Sequence, residues 1–463
     1  MIKSPPTIDP HVLERLALSP HKEKLAEYLA LLKPLDDQGR YLPFDDLRYR
    51  WAPGLDATLC WALVKKARAA QYVRLLPVGE PTRWGQFVLT PLAQKTLSSV
   101  DRQATTAALE YMTHHIGETA HFSYLLNDLI EDEAISSSQL EGAATTTQVA
   151  KDMLKRNRLP RSPDERMVIG NYKMMLLAWE KRDEPLSLGL IRQLHGVGVE
   201  GIDDGQYSPG QFRSNDQVVV QDAQGNTVHT PPPASGLGAR LERLSHWINQ
   251  AQNDPLHGDY VHPLIRAIAL HFAIGYEHPF RDGNGRVARA LFYWLMFKHD
   301  FSAFRYIAIS ILLRNAPVKY GRSYLYSESD GLDLTYFIDY QCSVILRAVT
   351  EFTAAYRNSL EYAKGFNHWL EESGLFKQLS DKQRTLVQVA KSGMAKEFTA
   401  VNVKENLNCS YNTAASTLNG LVELKVFEKK KMGREWVFFL RDTANIQADW
   451  KQEPSSGLLS SGS

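Results

Sequence analysis

His278-Pro279-Phe280-Arg281-Asp282-Gly283-Asn284-Gly285-Arg286-Val287-Ala288-Arg289 joins two apolar runs, Pro263 to Ile274 and Val287 to Phe297. Each run reads as a buried helix. Pro279 disfavours helical geometry at His278, so the first helix ends there. Gly283 and Gly285 stand just ahead of the second helix. Without a Cβ, the backbone at these two positions can turn sharply and let a ligand approach. The N–H groups at a helix N-terminus lack intrahelical partners, and the helix dipole favours negative charge there. The corner is therefore an anion cradle, best suited to phosphate.

The side chains around the cradle fit one chemistry. Arg286 and Arg289 are three apart, so both are expected to lean over the same bound anion. Asp282 is a hard oxygen ligand placed to hold Mg²⁺ bridging phosphates. His278 can take a proton near neutral pH. Asn284 either donates to a phosphate oxygen or pins the turn. A base, a metal ligand, a phosphate nest and two guanidiniums are equipment for attack on a nucleotide phosphate. A turn that only caps helices would not require His278, Asp282 and both arginines together.

The stretch resembles the signature of Fic-domain proteins, His-x-Phe-x-(Asp/Glu)-Gly-Asn-Gly-Arg-x-x-Arg, with no departure. The resemblance implies a mostly α fold, a helical core with a β-hairpin flap. It also implies transfer of AMP from ATP to a Tyr, Ser or Thr hydroxyl of a target protein, or of the chain itself. On that basis Phe280, Gly283, Asn284, Gly285, Arg286 and Arg289 surround the nucleotide and Asp282 holds Mg²⁺. His278 is then the base. Tyr320 and Tyr324 are expected beside the adenine, Tyr324 foremost, where an aromatic face contributes about 1 kcal/mol.

A second resemblance lies upstream. Ser137, Glu141 and Gly142 match (Ser/Thr)-x-x-x-Glu-(Gly/Asn), the motif that precedes the core in many Fic proteins. There the glutamate pairs with the second arginine of the core motif, which here is Arg289. A carboxylate on Arg289 removes a phosphate partner and puts like charge where a triphosphate must lie. The chain would thus be autoinhibited by an element at about 130–150. Residues at about 205–233 read as a hairpin turning at Gly225-Asn226 and ended by Pro231-Pro232-Pro233. This hairpin resembles the flap that holds an extended target loop by strand addition. His195, His229 and His271 read as structural.

The 463 residues suffice for about three domains. A hydrophobic share of 44% is ordinary for a globular protein, and a net charge of +1 argues against wholesale binding to nucleic acid or membrane. Three widely spaced cysteines suit a reducing compartment, and no apolar run is long enough for a leader or a span. The expectation is a cytoplasmic protein with no membrane partner. Residues 10–105 read as a small winged-helix-like module in which Lys65, Lys66, Arg68 and Arg74 are candidate phosphate contacts. Within it, His21 to Leu32 reads as one amphipathic helix. Residues 106–370 read as the Fic domain, and 378–442 as a C-terminal winged helix-turn-helix with Lys429, Lys430, Lys431 and Arg434 at its wing. DNA is a possible partner there. The tail at 453–463 reads as disordered. Family resemblance favours a homodimer. Two rivals stay open: a DNA-binding regulator that only senses nucleotide, and a Fic fold that removes AMP or transfers another phosphorylated group.

Overall fold

The structure, a computed structural model, describes residues 2–8, 10–18, 20–116, 131–156, 158–202, 208–222, 224–250, 260–372, 375–391, 395, 397–433 and 435–451. The expected tail at 453–463, Arg434 of the wing and the start of the flap at 205–207 lie outside these residues. The fold is mostly α. The chain divides into two compact units. The first comprises Met1–Thr105, Asp132–Thr147 and Pro160–Val349; the second comprises Thr106–Glu131, Gln148–Leu159 and Thr350–Ser463.

The chain opens with α1 (Val12–Leu18), α2 (Leu25–Leu29), α3 (Phe44–Leu47) and α4 (Ala57–Ala69), then β1 (Val73–Val78), β2 (Arg83–Phe87) and α5 (Pro91–Gln103). The single helix expected from His21 to Leu32 is instead a 3-10 turn, Pro20–Lys24, followed by the five residues of α2. Asp56 starts α4 by accepting the Leu59 N–H at 2.9 Å, and Thr90 caps α5 through Ala93 at 3.1 Å.

These elements do not stand apart as a separate module. The β1–β2 hairpin continues onto the core: Gln86 N–H donates to Leu332 O at 3.1 Å and Leu334 N–H to Gln86 O at 2.7 Å. Two of the basic residues expected to face phosphate are inside. Lys65 is 6% exposed and pairs with Asp330 at 2.9 Å and Asp333 at 3.2 Å. Arg68 is fully buried, donating to Pro34 O, Leu42 O and the Tyr336 hydroxyl. A buried charge is tolerable only when paired, and the acidic partners lie far along the chain. Lys66 and Arg74 remain exposed.

Next come α6 (Thr106–Ile116), α7 (131–140), α8 (Thr147–Lys155), α9 (Pro163–Glu180) and α10 (Leu188–Gly198). The hairpin of β3 (Val220–Gln221) and β4 (Thr227–His229) follows, antiparallel, with Val220 opposite His229. Then come α11 (Leu237–Asn249), α12 (Pro263–Glu277), α13 (Asn284–Lys298), α14 (Ile309–Arg314), α15 (Pro317–Ser329) and α16 (Thr335–Glu372). The centre of the first unit is α13. It packs on α12, α9 and α10, and every residue from Arg286 to Phe297 is buried. From Ala290 to Phe297 the helix is apolar on every side, and such a helix has to be enclosed.

The second unit ends in α17 (Asp381–Lys391), α18 (Ala400–Asn406), α19 (Tyr411–Glu423), β5 (Phe427–Met432), β6 (Glu435–Leu440) and α20 (Thr443–Lys451). Leu386, Phe398, Val403, Leu418, Leu421 and Phe427 fill one core there. Thr399 and Asn402 form a reciprocal capping box at α18.

Candidate active site

The two helices of the quoted stretch form as their sequence dictates. Pro263 occupies the first turn of α12, where its missing N–H costs nothing, and the His262 side chain accepts the Leu264 N–H at 3.0 Å. The helix ends at His278, which adopts φ 46° and ψ 61°. Left-handed backbone at a residue with a Cβ costs about 1–3 kcal/mol and persists only where surroundings impose it. Here Arg213 imposes it. Its Nε donates to His278 O at 2.9 Å and its backbone N–H to Pro279 O at 2.9 Å. Its guanidinium also donates to Pro232 O and to Glu277 O. One buried arginine thus ties the two flanks of the β3–β4 hairpin to the turn. Glu277 holds the same turn from behind, accepting Gly79 N–H at 2.7 Å and Arg240 Nε at 2.7 Å.

His278 Nδ1 lies 3.1 Å from Gly275 O. A carbonyl only accepts, so Nδ1 carries the proton and Nε2 keeps its lone pair in the neutral ring. Burial pushes the imidazole down to about 4, against the Gly275 carbonyl working the other way. The ring is therefore a neutral base with its basic nitrogen fixed by tautomer.

The corner after it is built by residues of the motif. Asn284 accepts Phe280 N–H at 2.8 Å and returns its own N–H to Phe280 O at 2.9 Å. Of its two expected roles it takes the second, pinning the turn. Phe280 is fully buried and stacks on His195 at 3.7 Å between ring centres. His195 bridges Asp282 O at 3.0 Å and Gly210 N–H at 3.0 Å, and burial pushes it down to about 4, so it is a structural brace as expected. Gly283 takes φ 83° and precedes the first residue of α13. Asp282 accepts the Gly283 N–H with one carboxylate oxygen.

Both arginines take protein partners at this corner, and Arg286 Nη2 lies 3.3 Å from where a Cβ on Gly283 would be. Arg286 is buried and donates to Gly198 O at 2.9 Å. Arg289 is buried and turns to α7. Its Nε donates to Ser137 Oγ at 2.8 Å, and its Nη2 to Ser137 O at 3.1 Å and Glu141 Oε1 at 2.7 Å. A Cβ placed on Gly285 would lie 2.2 Å from Glu141 Oε1. The glutamate carboxylate therefore rests on the N-terminus of α13, against the cradle itself. Gly142 follows at φ 98°, a conformation that suits glycine and lets the chain leave α7.

Tyr320 and Tyr324 sit on α15, half-buried, with ring centres 5.5 Å apart. The Tyr320 hydroxyl meets His271 Nε2 at 2.8 Å, and Tyr324 stacks on Phe272 at 5.2 Å. His271 is fully buried, packed as expected, and burial pushes it down to about 3. Arg289 and Glu141 both act electrostatically on the two tyrosine hydroxyls.

Residues 185–296, which hold the turn, both helices and the hairpin, match the Fic/DOC family. The chain carries a Fic domain. A protein named "Protein adenylyltransferase Fic" from Drosophila mojavensis is 26% identical over 291 residues, 61% of this chain and 50% of its own length. The chain thus spans about half the length of that curated relative. A "Uridine 5'-monophosphate transferase" from Xanthomonas campestris pv. campestris is 30% identical over 126 residues, 26% of this chain and 23% of its own. A solved Fic family protein from Desulfovibrio desulfuricans G20 aligns with 76% of this chain and 97% of its own at 18% identity and a TM-score of 0.47.

The motif brings together His278, Asp282, the two glycines, Arg286 and Arg289, and Glu141 joins them from outside the matched residues. Arg213 and the Arg240–Glu277 pair carry no signal in the sequence. Their partners are backbone atoms or distant side chains, and no local spacing announces such contacts. Among the described residues no group of three or more His, Cys, Asp or Glu clusters as a metal site, and no helix is long and apolar enough to cross a membrane.

Proposed function

We propose that this chain transfers AMP from ATP to a hydroxyl side chain of a protein and is held back by its own Glu141. One observation carries the reading: the Glu141 carboxylate sits on Arg289 and on the N-terminus of α13, where a triphosphate would bind. An anionic side chain in that corner occupies a site suited to an anionic substrate. With Glu141 withdrawn, the Gly283–Gly285 corner takes the phosphates and Arg289 the terminal one. His278 Nε2 accepts the proton of the incoming hydroxyl, whose oxygen attacks the α-phosphorus while pyrophosphate leaves.

Asp282 offers a single carboxylate. That fits Mg²⁺, which takes most of its shell from phosphates and water rather than from a protein cage. Bound there with substrate, the ion would neutralise phosphate charge. The residues themselves do the positioning: Arg213 and Glu277 hold the His278 turn, and His195 braces Asp282 O.

The target would pair its backbone with an edge of the β3–β4 hairpin, presenting a hydroxyl to His278. The homodimer, the cytoplasmic location and a DNA contact through α19 and the β5–β6 lysines belong to the same proposal. α-Labelled ATP tests the core of it. The wild-type protein should label itself weakly, Glu141→Gly strongly, and His278→Ala not at all. Absence of label in all three removes the activity. A second reading, transfer of UMP, is favoured by the Xanthomonas relative. Competition between labelled ATP and unlabelled UTP in Glu141→Gly separates the two. If pre-modified target instead releases AMP, the reverse reaction is the function.

A further inference from the structure

The inhibitory glutamate directly follows α7 and continues one of its faces. Glu133, Ser137 and Glu141 are four apart, so they project in one direction from successive turns. Ser137 and Glu141 meet Arg289. Glu133 does not. It is 3% exposed and accepts Ser310 N–H at 2.9 Å and Ser310 Oγ–H at 2.5 Å, with the Tyr293 hydroxyl a further partner of the carboxylate. Ser310 lies in the first turn of α14, where N–H groups lack intrahelical partners.

We propose that Glu133 is a positioning residue for inhibition: its two-point bond to Ser310 fixes the register of α7 along α13 and so holds Glu141 over Gly285. The inference rests on the transferase reading above. The geometry argues for it in three steps. Glu141 is at the C-terminal end of α7, where the helix dipole disfavours a carboxylate. Its attraction to Arg289 is thus opposed by its own helix. The bonds from Arg289 to Ser137 and Glu141 all lie toward that end, and alone they would leave the other end of the helix free to tilt. Glu133 lies eight residues away, about 12 Å along the axis, and supplies a second fixed point. Its bonds cannot shift by a turn, because a buried carboxylate without donors is too costly. The Asn171 side chain, which donates to Ala134 O at 2.9 Å, steadies the same end from α9.

The anchor also faces α14, which leads directly into the helix of Tyr320 and Tyr324. Inhibition is in this way tied to the segment that carries Tyr320 and Tyr324.

The test is a gain of function, which a merely damaged fold would not give. Glu133→Ala should raise nucleotide transfer about tenfold over wild type, the scale of a coupling of one to two kcal/mol. Ser310→Ala removes one of the two bonds and should give a smaller rise in the same direction. In a Glu141→Gly background, Glu133→Ala should add nothing. Hydrogen exchange at 131–142 should quicken in Glu133→Ala and leave α9 and α13 protected. An unchanged or lowered rate in both Glu133→Ala and Ser310→Ala, or a further rise on top of Glu141→Gly, overturns the proposal. Unchanged exchange at 131–142 overturns it as well. If Glu141→Gly itself transfers nothing, it is the transferase reading that fails, and the exchange result still decides whether Glu133 holds α7.

Discussion

The neutral imidazole at His278 is set by its surroundings. The Gly275 carbonyl selects the tautomer, and burial lowers the affinity for a second proton to about 4. The base form is active, so activity is lost only where that form is protonated. With Glu141→Gly as the working enzyme, kcat/KM should fall as pH drops through about 4, well below the ordinary value of 6.5. An acid limb centred at 6.5 would mean that His278 is solvated in the working state. Arg213 makes a different prediction. Its guanidinium donates to five separate partners, so Arg213→Lys keeps the charge and loses the fork. Nucleotide transfer should fall at least tenfold in kcat with little change in nucleotide affinity. A matched rise in KM would place Arg213 in substrate binding instead. At this scale the reacting groups were legible, because His278, Asp282 and the glycines are contiguous. Arg213 was not, because its bond to His278 spans 65 residues.

Among the elements, α12 and α13 were readable from their apolar runs and from Pro263 and Pro279. The end of α12 needs more than its own sequence, because its last carboxylate, Glu277, is a support. The Arg240–Glu277 pair is 1% and 2% exposed. Removing one partner leaves the other charge buried, at a cost of about 3–5 kcal/mol. Arg240→Met should therefore lower the urea midpoint of the protein far more than a surface substitution such as Lys66→Met. Equal shifts for the two would show that Glu277 relaxes to water. The α7 helix shows why a short motif carries only part of its meaning. Ser137, Glu141 and Gly142 announce the contact with Arg289. The carboxylate that anchors the helix finds its partner 177 residues away.

For the molecule as a whole, the sequence suggested a separate N-terminal module, and the structure merges it with the core of the first unit. The seam is polar. Lys65 and Arg68 face Asp330, Asp333 and Tyr336, and the Thr90 hydroxyl donates to Asp339 at 2.5 Å. No periodicity reveals such a seam, since each charge looks solvated until its partner is known. The seam has a consequence for stability. Burial raises the Asp339 carboxyl from its ordinary value of 3.8 to about 7, against Thr90 working the other way. Between those two values the folded protein keeps a proton that the unfolded chain releases. Stability then falls as pH rises through that window, because the folded state binds more protons. Asp339→Asn cannot lose a proton, so its contribution is level with pH. Urea midpoints measured at both ends of the window should drop more for wild type than for Asp339→Asn. The variant should gain on wild type toward neutral pH. Parallel pH profiles for the two proteins would show that Asp339 is ionised in the fold and that the seam has another way to hold the charge.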